Sequence, residues 1–321
     1  MKKILLRDQL YGTSSIQSPV IIELIRSAPM QRLKKISQYG LPPEYYHLKS
    51  FSRFEHSIGV MLLLRKFGAT GEEQIAGLLH DVSHTAFSHL VDWFVGSGDK
   101  EDFQDKQHKK FILRSEIATI LKKHKYNPKR IVEYYHFTLL EQPLPHLCAD
   151  RLDYALREFP RKIARACLSD LIVVKGKFVF KTKRKALLFS NQYMKHQREH
   201  WGGEEAVTRY TILAKTLEYA MRRKIIAFED FWTYDEYVLR KLRHSHDVII
   251  HTNLGVLAKR SLSSLPRSKK TLRKKFRFID PAVLVRNKLY ILSKLSPRYA
   301  RFLEREKKEN AKGIPQPVLH Y

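Results

Sequence analysis

The sequence predicts a mainly α-helical fold with a smaller mixed α+β part toward the C-terminus. Two observations carry this expectation. Between about residue 20 and residue 170, apolar side chains recur at three- and four-residue spacing, the period of amphipathic helices. After residue 170, LIVVKGKFVFKTK sets β-branched and aromatic residues on both sides of a Lys-Gly-Lys turn, as in a hairpin of two short strands. The change suggests a division into residues 1–170 and 171–321.

In chain order, IELIRSAPMQRLKKI is the first helical stretch. The second runs from His56 through Val60, Leu62, Leu63 and Leu64. The third, EQIAGLLHDV, aligns Ile75, Leu78, Leu79 and Val82 on one face. KKFILRSEIATILKKH follows, and then a helix carrying Asp150, with Leu152, Ala155, Leu156 and Phe159 on its packing side. Beyond the hairpin, ALLFSNQYMKHQ and VTRYTILAKTLEYAMRRK return to helix, the latter with Ala206, Tyr210, Leu213, Leu217 and Met221 near one stripe. The polar tail REKKENAKGIPQPVLHY is expected to be loosely ordered.

Set within these apolar patterns are ligand-type residues: His56, the adjacent His80 and Asp81, and Asp150. Such side chains are costly to bury without partners, so their placement calls for a compensating cation. Neighbours on a helix point about 100° apart and grip one ion from two sides. Arg53 lies three residues before His56 and shares its face, while Asp150, Tyr154 and Glu158 form one polar stripe. Two imidazoles and two carboxylates suit Mn, Fe, Zn, Co, Ni or Mg and leave positions for water and a phosphate oxygen. The chain has two cysteines and no CxxC, which excludes thiolate zinc sites.

RFEHSIGV, LLHDVSHTAFSH and DRLDYALRE, in that order, resemble the His, His-Asp, Asp signature of the HD-domain phosphohydrolase superfamily, and within it the branch of deoxynucleoside triphosphate triphosphohydrolases. The likeness extends to DQLYG, APMQRLKKISQYG and, weakly, TYDEYVLRKL, and so covers residues 1 to about 250. It implies an HD-domain helical bundle in which His56, His80, Asp81 and Asp150 bind the metal and Arg53 contacts the phosphate nearest the sugar. His84, His89, Asp92 and His108 resemble the family's catalytic residues around that centre. If the third helix continues through SHLVDWF, His89 and Asp92 pair at i, i+3, which suits a general acid. Tyr154 and Glu158 stand where the family holds the sugar 3′-hydroxyl, with glutamate in place of the usual aspartate. Gln38 matches a glutamine near the sugar, and Tyr39 replaces a leucine that helps exclude a 2′-hydroxyl. Both departures bear on sugar preference.

The activity implied is hydrolysis of a dNTP to deoxynucleoside and triphosphate by a metal-activated water. The same metal face would serve a nucleoside monophosphatase or a nucleotide phosphodiesterase, and the rival from another class is a nucleic-acid-binding protein on an HD scaffold. Relatives of this kind commonly form homo-oligomers.

Composition bounds the rest. With 321 residues and 43% hydrophobic content the chain can bury a sizeable core. No stretch approaches the ~20 apolar residues of a membrane span, and MKKILLRDQLYG is too short for a secretory segment, so the cytoplasm is the expected compartment. A net charge of +28 raises the expectation of a polyanionic partner. The excess is clustered at residues 181–185 and above all in the run from Lys259 to Arg277, which contains no acidic residue and is a candidate nucleic-acid contact.

Overall fold

The computed structural model describes residues 3–95, 101–273 and 275–318. The chain is mainly α-helical with small sheets, as the sequence predicts. It opens with an antiparallel hairpin that periodicity alone does not announce, Ile4–Asp8 paired with Gly12–Ile16. Asp8 Oδ1 closes the turn by accepting the N–H groups of Leu10 and Tyr11 at 2.8 and 2.9 Å.

The His56 helix spans Arg53–Lys66 and starts with a capping box. Ser52 Oγ accepts from the Glu55 N–H, and the Glu55 carboxylate accepts from the Ser52 N–H. The next helix, Gly71–Leu79, ends where His80 begins. The expected continuation through His89 does not occur. Residues 80–89 run through successive turns, and a separate short helix, Leu90–Phe94, begins after His89. Phe87 and Ser88 adopt positive φ values of 61° and 51°, a left-handed conformation that no α-helix accommodates. Tertiary bonds hold it there. The Phe87 N–H donates to Asp235 Oδ1 at 2.7 Å, and the Ser88 hydroxyl donates to Ser37 O at 2.6 Å.

The Asp150 helix spans Ala149–Glu158. The expected hairpin is present as Leu171–Val174 and Lys177–Phe180, turned by Lys175 and Gly176 at positive φ. A second hairpin, Ala282–Val285 with Lys288–Ile291, adds to it through a parallel pairing with Lys177–Phe180, giving a four-stranded sheet. Within the basic run, Arg267–Leu272 is a strand paired with Ile314–Pro317. Most of the tail expected to be loose is ordered. Its residues 305–312 belong to the helix Pro297–Lys312, which buries Tyr299 and Glu306. Lys274 of the basic run and residues 319–321 of the tail lie outside the described residues.

Two apolar cores form. The larger joins the helices of His56, His80 and Asp150 to the four-stranded sheet, running in sequence from Ile16 to Tyr299. The smaller centres on the helix Glu204–Arg222 and runs from Leu41 to Leu262. Residue 170 marks a change in secondary structure, and both cores draw side chains from each side of it. Among the described residues no helix is long and apolar enough to cross a membrane.

Asp235 ties the turn at Phe87 to the segment at Ser37, since its second oxygen accepts the Ser37 N–H at 2.8 Å. Asp235→Ala strands two buried N–H groups and is expected to destabilise the chain by about 2–4 kcal/mol in urea unfolding. A loss below about 0.5 kcal/mol would show that the two loops hold without it.

Candidate metal centre

Each of the two imidazoles of the site is positioned by a bond on its far side. His56 is fully buried, and its Nδ1 lies 2.8 Å from Asp153 Oδ2. The carboxylate accepts the Nδ1 proton, which leaves Nε2 as a bare acceptor. Asp153 is itself held by the Arg157 Nε, 2.7 Å away, and Arg157 reaches back to Asp8 Oδ2 in the N-terminal hairpin at 2.7 Å. This chain of charges passes through the His56 helix only because residue 59 is glycine. A Cβ there would lie 2.1 Å from Asp153 Oδ1 and 2.0 Å from an Arg157 nitrogen.

His80 is fixed in the same manner. Its Nδ1 donates to Gly77 O at 2.8 Å, which again leaves Nε2 bare. The two Nε2 atoms meet at 3.2 Å. Asp150 Oδ1 lies 2.9 Å from His56 Nε2 and 3.7 Å from His80 Nε2, and Asp81 approaches them at 3.7 and 3.5 Å. Two lone pairs and two carboxylates aimed at one point repel unless a proton or a cation lies between them. Metal–nitrogen bonds of roughly 2.1 Å at tetrahedral or octahedral angles separate two nitrogens by roughly 3.0–3.4 Å, so the observed spacing suits an ion. Ligand atoms of His56, His80 and Asp81 all lie within 4.8 Å of one another. The donor set therefore fits a divalent metal ion.

Electrostatics give the same answer. Burial opposes charge on His80, yet Asp81 and Asp150 lift its pKa to about 9, and Asp150 and Asp153 raise His56 against burial in the same way. Against its own burial, Asp81 is held well below the usual carboxylate range by Arg53 and His80. A second trio, Glu141, Cys148 and Asp150, is equally compact, but Arg151 donates to Glu141 at 2.8 Å and to Cys148 Sγ at 3.1 Å. Its guanidinium supplies the positive charge there.

The centre opens into a cavity of about 890 Å³. Arg53, His84, His89, Gln38, Tyr39, Tyr154 and Glu158 line it together with His80, Asp81 and Asp150, so most of the sequence-selected residues converge there, whereas His56, Asp92 and His108 are not on its wall. Arg53 is heavily engaged: Nη1 bonds Asp81 at 2.7 Å, Nε bonds Ser88 Oγ at 3.0 Å, and Nη2 reaches Gln38 O at 3.3 Å. His84 Nε2 stands 3.3 Å from Asp81 Oδ1, and burial followed by Arg53 depresses its pKa well below the ordinary value. His89 Nδ1 lies 3.6 Å from Asp92, so the expected pair forms across a helix start rather than within a continuous helix. The Glu158 carboxylate is occupied, with Oε2 at 2.6 Å from His200 Nδ1 and Oε1 accepting the Trp201 indole N–H at 2.8 Å.

His108 differs from its expected place around the reacting group. It is buried behind the wall rather than on it, with Nδ1 3.0 Å from Ser83 Oγ and Nε2 against the Tyr134 hydroxyl. Burial, then His80, pull its pKa down to about 3. Gln104 and Tyr134 each donate to His80 O at 2.8 Å, so these groups buttress the His80–Ser83 turn. Sequence reasoning missed Asp153, Gln104 and Tyr134. Only Asp153 left a readable trace, as the second aspartate of DRLD on the face of Asp150.

The HD domain family model matches residues 53–158. Over 326 aligned residues the chain is 38% identical to the uncharacterised protein YdhJ of Bacillus subtilis, covering 97% of this chain and 98% of that one. It is 39% identical over 155 residues to the metal-dependent phosphohydrolase cns2 of Cordyceps militaris, covering 48% and 45% of the two chains. A shorter match, 33% over 102 residues, is to the human deoxynucleoside triphosphate triphosphohydrolase SAMHD1, covering 27% and 16%. A phosphohydrolase structure from Bacteroides thetaiotaomicron superposes with a TM-score of 0.68 at 16% identity, covering 92% and 95%, and shares the fold. The chain belongs to the HD-domain family.

An ion and a proton compete for this centre. In ion-free protein the raised His80 pKa contributes stability that is full below about 6.5 and is lost as pH rises through about 9. The gain in melting temperature on adding Mn²⁺ is therefore expected to grow between pH 6 and pH 8.5. A gain that is constant or shrinks over that range would contradict competition at His80.

Proposed function

We propose that this chain is a metal-dependent phosphohydrolase acting on nucleotides, with a deoxynucleoside triphosphate as substrate and nucleoside and triphosphate as products. The observation that carries the reading is a cavity polar at one end and aromatic at the other. The His56–His80–Asp81–Asp150 cluster lies at the first end. Eight residues along the Asp150 helix, an axial rise of about 12 Å, Glu158 holds His200 and Trp201, against which Tyr39 and Tyr46 pack with ring centroids 4.6 and 5.5 Å from His200. A phosphate at the cluster directs sugar and base toward these rings, where stacking is open to any base. The matches to cns2 and SAMHD1, by the activities in their names, support hydrolysis of a phosphate ester and, more distantly, the dNTP substrate.

When bound, a divalent ion supplies Lewis-acid polarisation of a phosphoryl oxygen and lowers the pKa of water. The chain's own groups do the rest. His56, His80, Asp81 and Asp150 hold the ion. Arg53, fixed by Asp81 and Ser88, has N–H groups to spare for a phosphate oxygen. His84, kept neutral by burial and by Arg53, accepts or donates a hydrogen bond without adding charge. His89, on the cavity wall beside Asp92, is placed to give a proton to the departing sugar oxygen. Tyr154, one turn beyond Asp150, faces the sugar.

Product analysis tests this directly. With Mn²⁺, Fe²⁺ or Mg²⁺ supplied, dNTPs are expected to yield intact triphosphate and nucleoside; orthophosphate from monophosphates, or nucleotide from cyclic substrates, would overturn the triphosphohydrolase reading. His80→Ala and Asp81→Ala should lose bound metal and hydrolysis together. His89→Gln should retain metal and slow turnover by about 10²–10⁴-fold. Metal loss in that variant would place His89 among the ligands instead.

A further inference from the structure

The basic run Lys259–Arg277 does not lie wholly on the outside. Residues 275–278 form one wall of the candidate site with side chains facing alternately. Lys275 and Arg277 line the cavity, whereas Phe276 and Phe278 face a separate cleft beside the helix Pro297–Lys312. The two phenylalanine rings stack 5.4 Å apart at 16° and pack against the larger core. With the Arg277 N–H donating to Gln197 Oε1 at 3.2 Å, this anchoring holds both cations toward the cavity.

Arg277 is tied on one side to the buried Glu101, while its Nη1 is buried with no hydrogen-bond partner among the described residues. A buried guanidinium donor left unpaired beside a cavity is poised for an anionic ligand. It acts electrostatically on Tyr154, one helical turn beyond the Asp150 ligand position. Lys275 stands nearby with no ion pair among the described residues, and acts on Asp105 of the same wall. These cations line the same cavity as His80, Asp81 and Asp150 of the His/Asp cluster.

We infer that Lys275 and Arg277 form a second anion subsite in the active cavity, one that selects a polyphosphate over a single phosphate. The inference rests on the phosphohydrolase reading and deepens it. It also divides the basic run by role: Lys269 and Lys270 are exposed on an outer strand, and Lys275 and Arg277 face inward.

Calorimetric titration of the metal-loaded protein with inorganic tripolyphosphate and with orthophosphate tests it without turnover. Lys275→Met is expected to weaken tripolyphosphate binding about tenfold and to leave orthophosphate within about twofold. Arg277→Lys, which keeps the charge opposite Glu101, should show a smaller loss of the same selectivity, and Lys270→Met should show none. Wild-type protein that binds tripolyphosphate no tighter than orthophosphate overturns the inference. So does a Lys275→Met variant that weakens both ligands equally or neither, or one that weakens only a single-stranded oligonucleotide. Selective tripolyphosphate binding in a protein that hydrolyses no nucleotide would leave the subsite standing and remove the proposed activity.

Discussion

Two imidazole nitrogens with their lone pairs aimed at one point, 3.2 Å apart, are the constraint around which this structure is arranged. Neither ring is free to turn away. Asp153 accepts from His56 on its far side, and Gly77 O accepts from His80. Asp153 keeps its charge against burial because Arg157 and His56 together hold its pKa down, and Arg157 is shared with Asp8 of the opening hairpin. The opening hairpin, joined to Arg157 across 149 residues of sequence, thus helps to set the tautomer of a ligand, in the manner of the outer partners that tune metal sites generally. Gly59 belongs to the same device, because any side chain there would fill the space these charges occupy.

The segment after His80 solves a second problem, that of presenting three histidines to one cavity. A continuous helix would carry His84 and His89 along a rod and away from the ion. The observed turns, with two left-handed residues at 87 and 88, fold them back so that their rings meet at 4.8 Å. Such a backbone is strained by itself, at a cost of order 1–3 kcal/mol per residue, and persists because Asp235, Ser37 and Arg53 hold it from three sides. The later part of the chain therefore serves the site through Asp235 as much as through the cavity wall.

Much of this was legible in the residues. His56, His80, Asp81 and Asp150 stand out because polar ligands interrupt apolar helical periods, and the first hairpin after residue 170 is marked by its Lys-Gly turn. The second hairpin carried a comparable signal in AVLVRNKLYI, with Arg286 and Asn287 at positive φ in its turn. The geometry of residues 80–89 was not readable, since bonds to residues 37, 53 and 235 decide it. Nor was the inward face of the basic run. Charge counting treats Lys269 and Lys275 alike, and only the anchoring of Phe276 and Phe278 separates them. The burial of His108 likewise depends on Ser83 and Tyr134, which no local pattern connects to it.

The central claim is that the converging nitrogens hold a metal ion. X-ray absorption spectroscopy at the metal edge of protein loaded with one equivalent of Mn²⁺ or Fe²⁺ tests it most directly. One ion per chain, with scattering from two imidazoles and otherwise from oxygen, is the predicted result. Sulfur scattering, which would move the ion to Cys148, or a shell without imidazole, would contradict it.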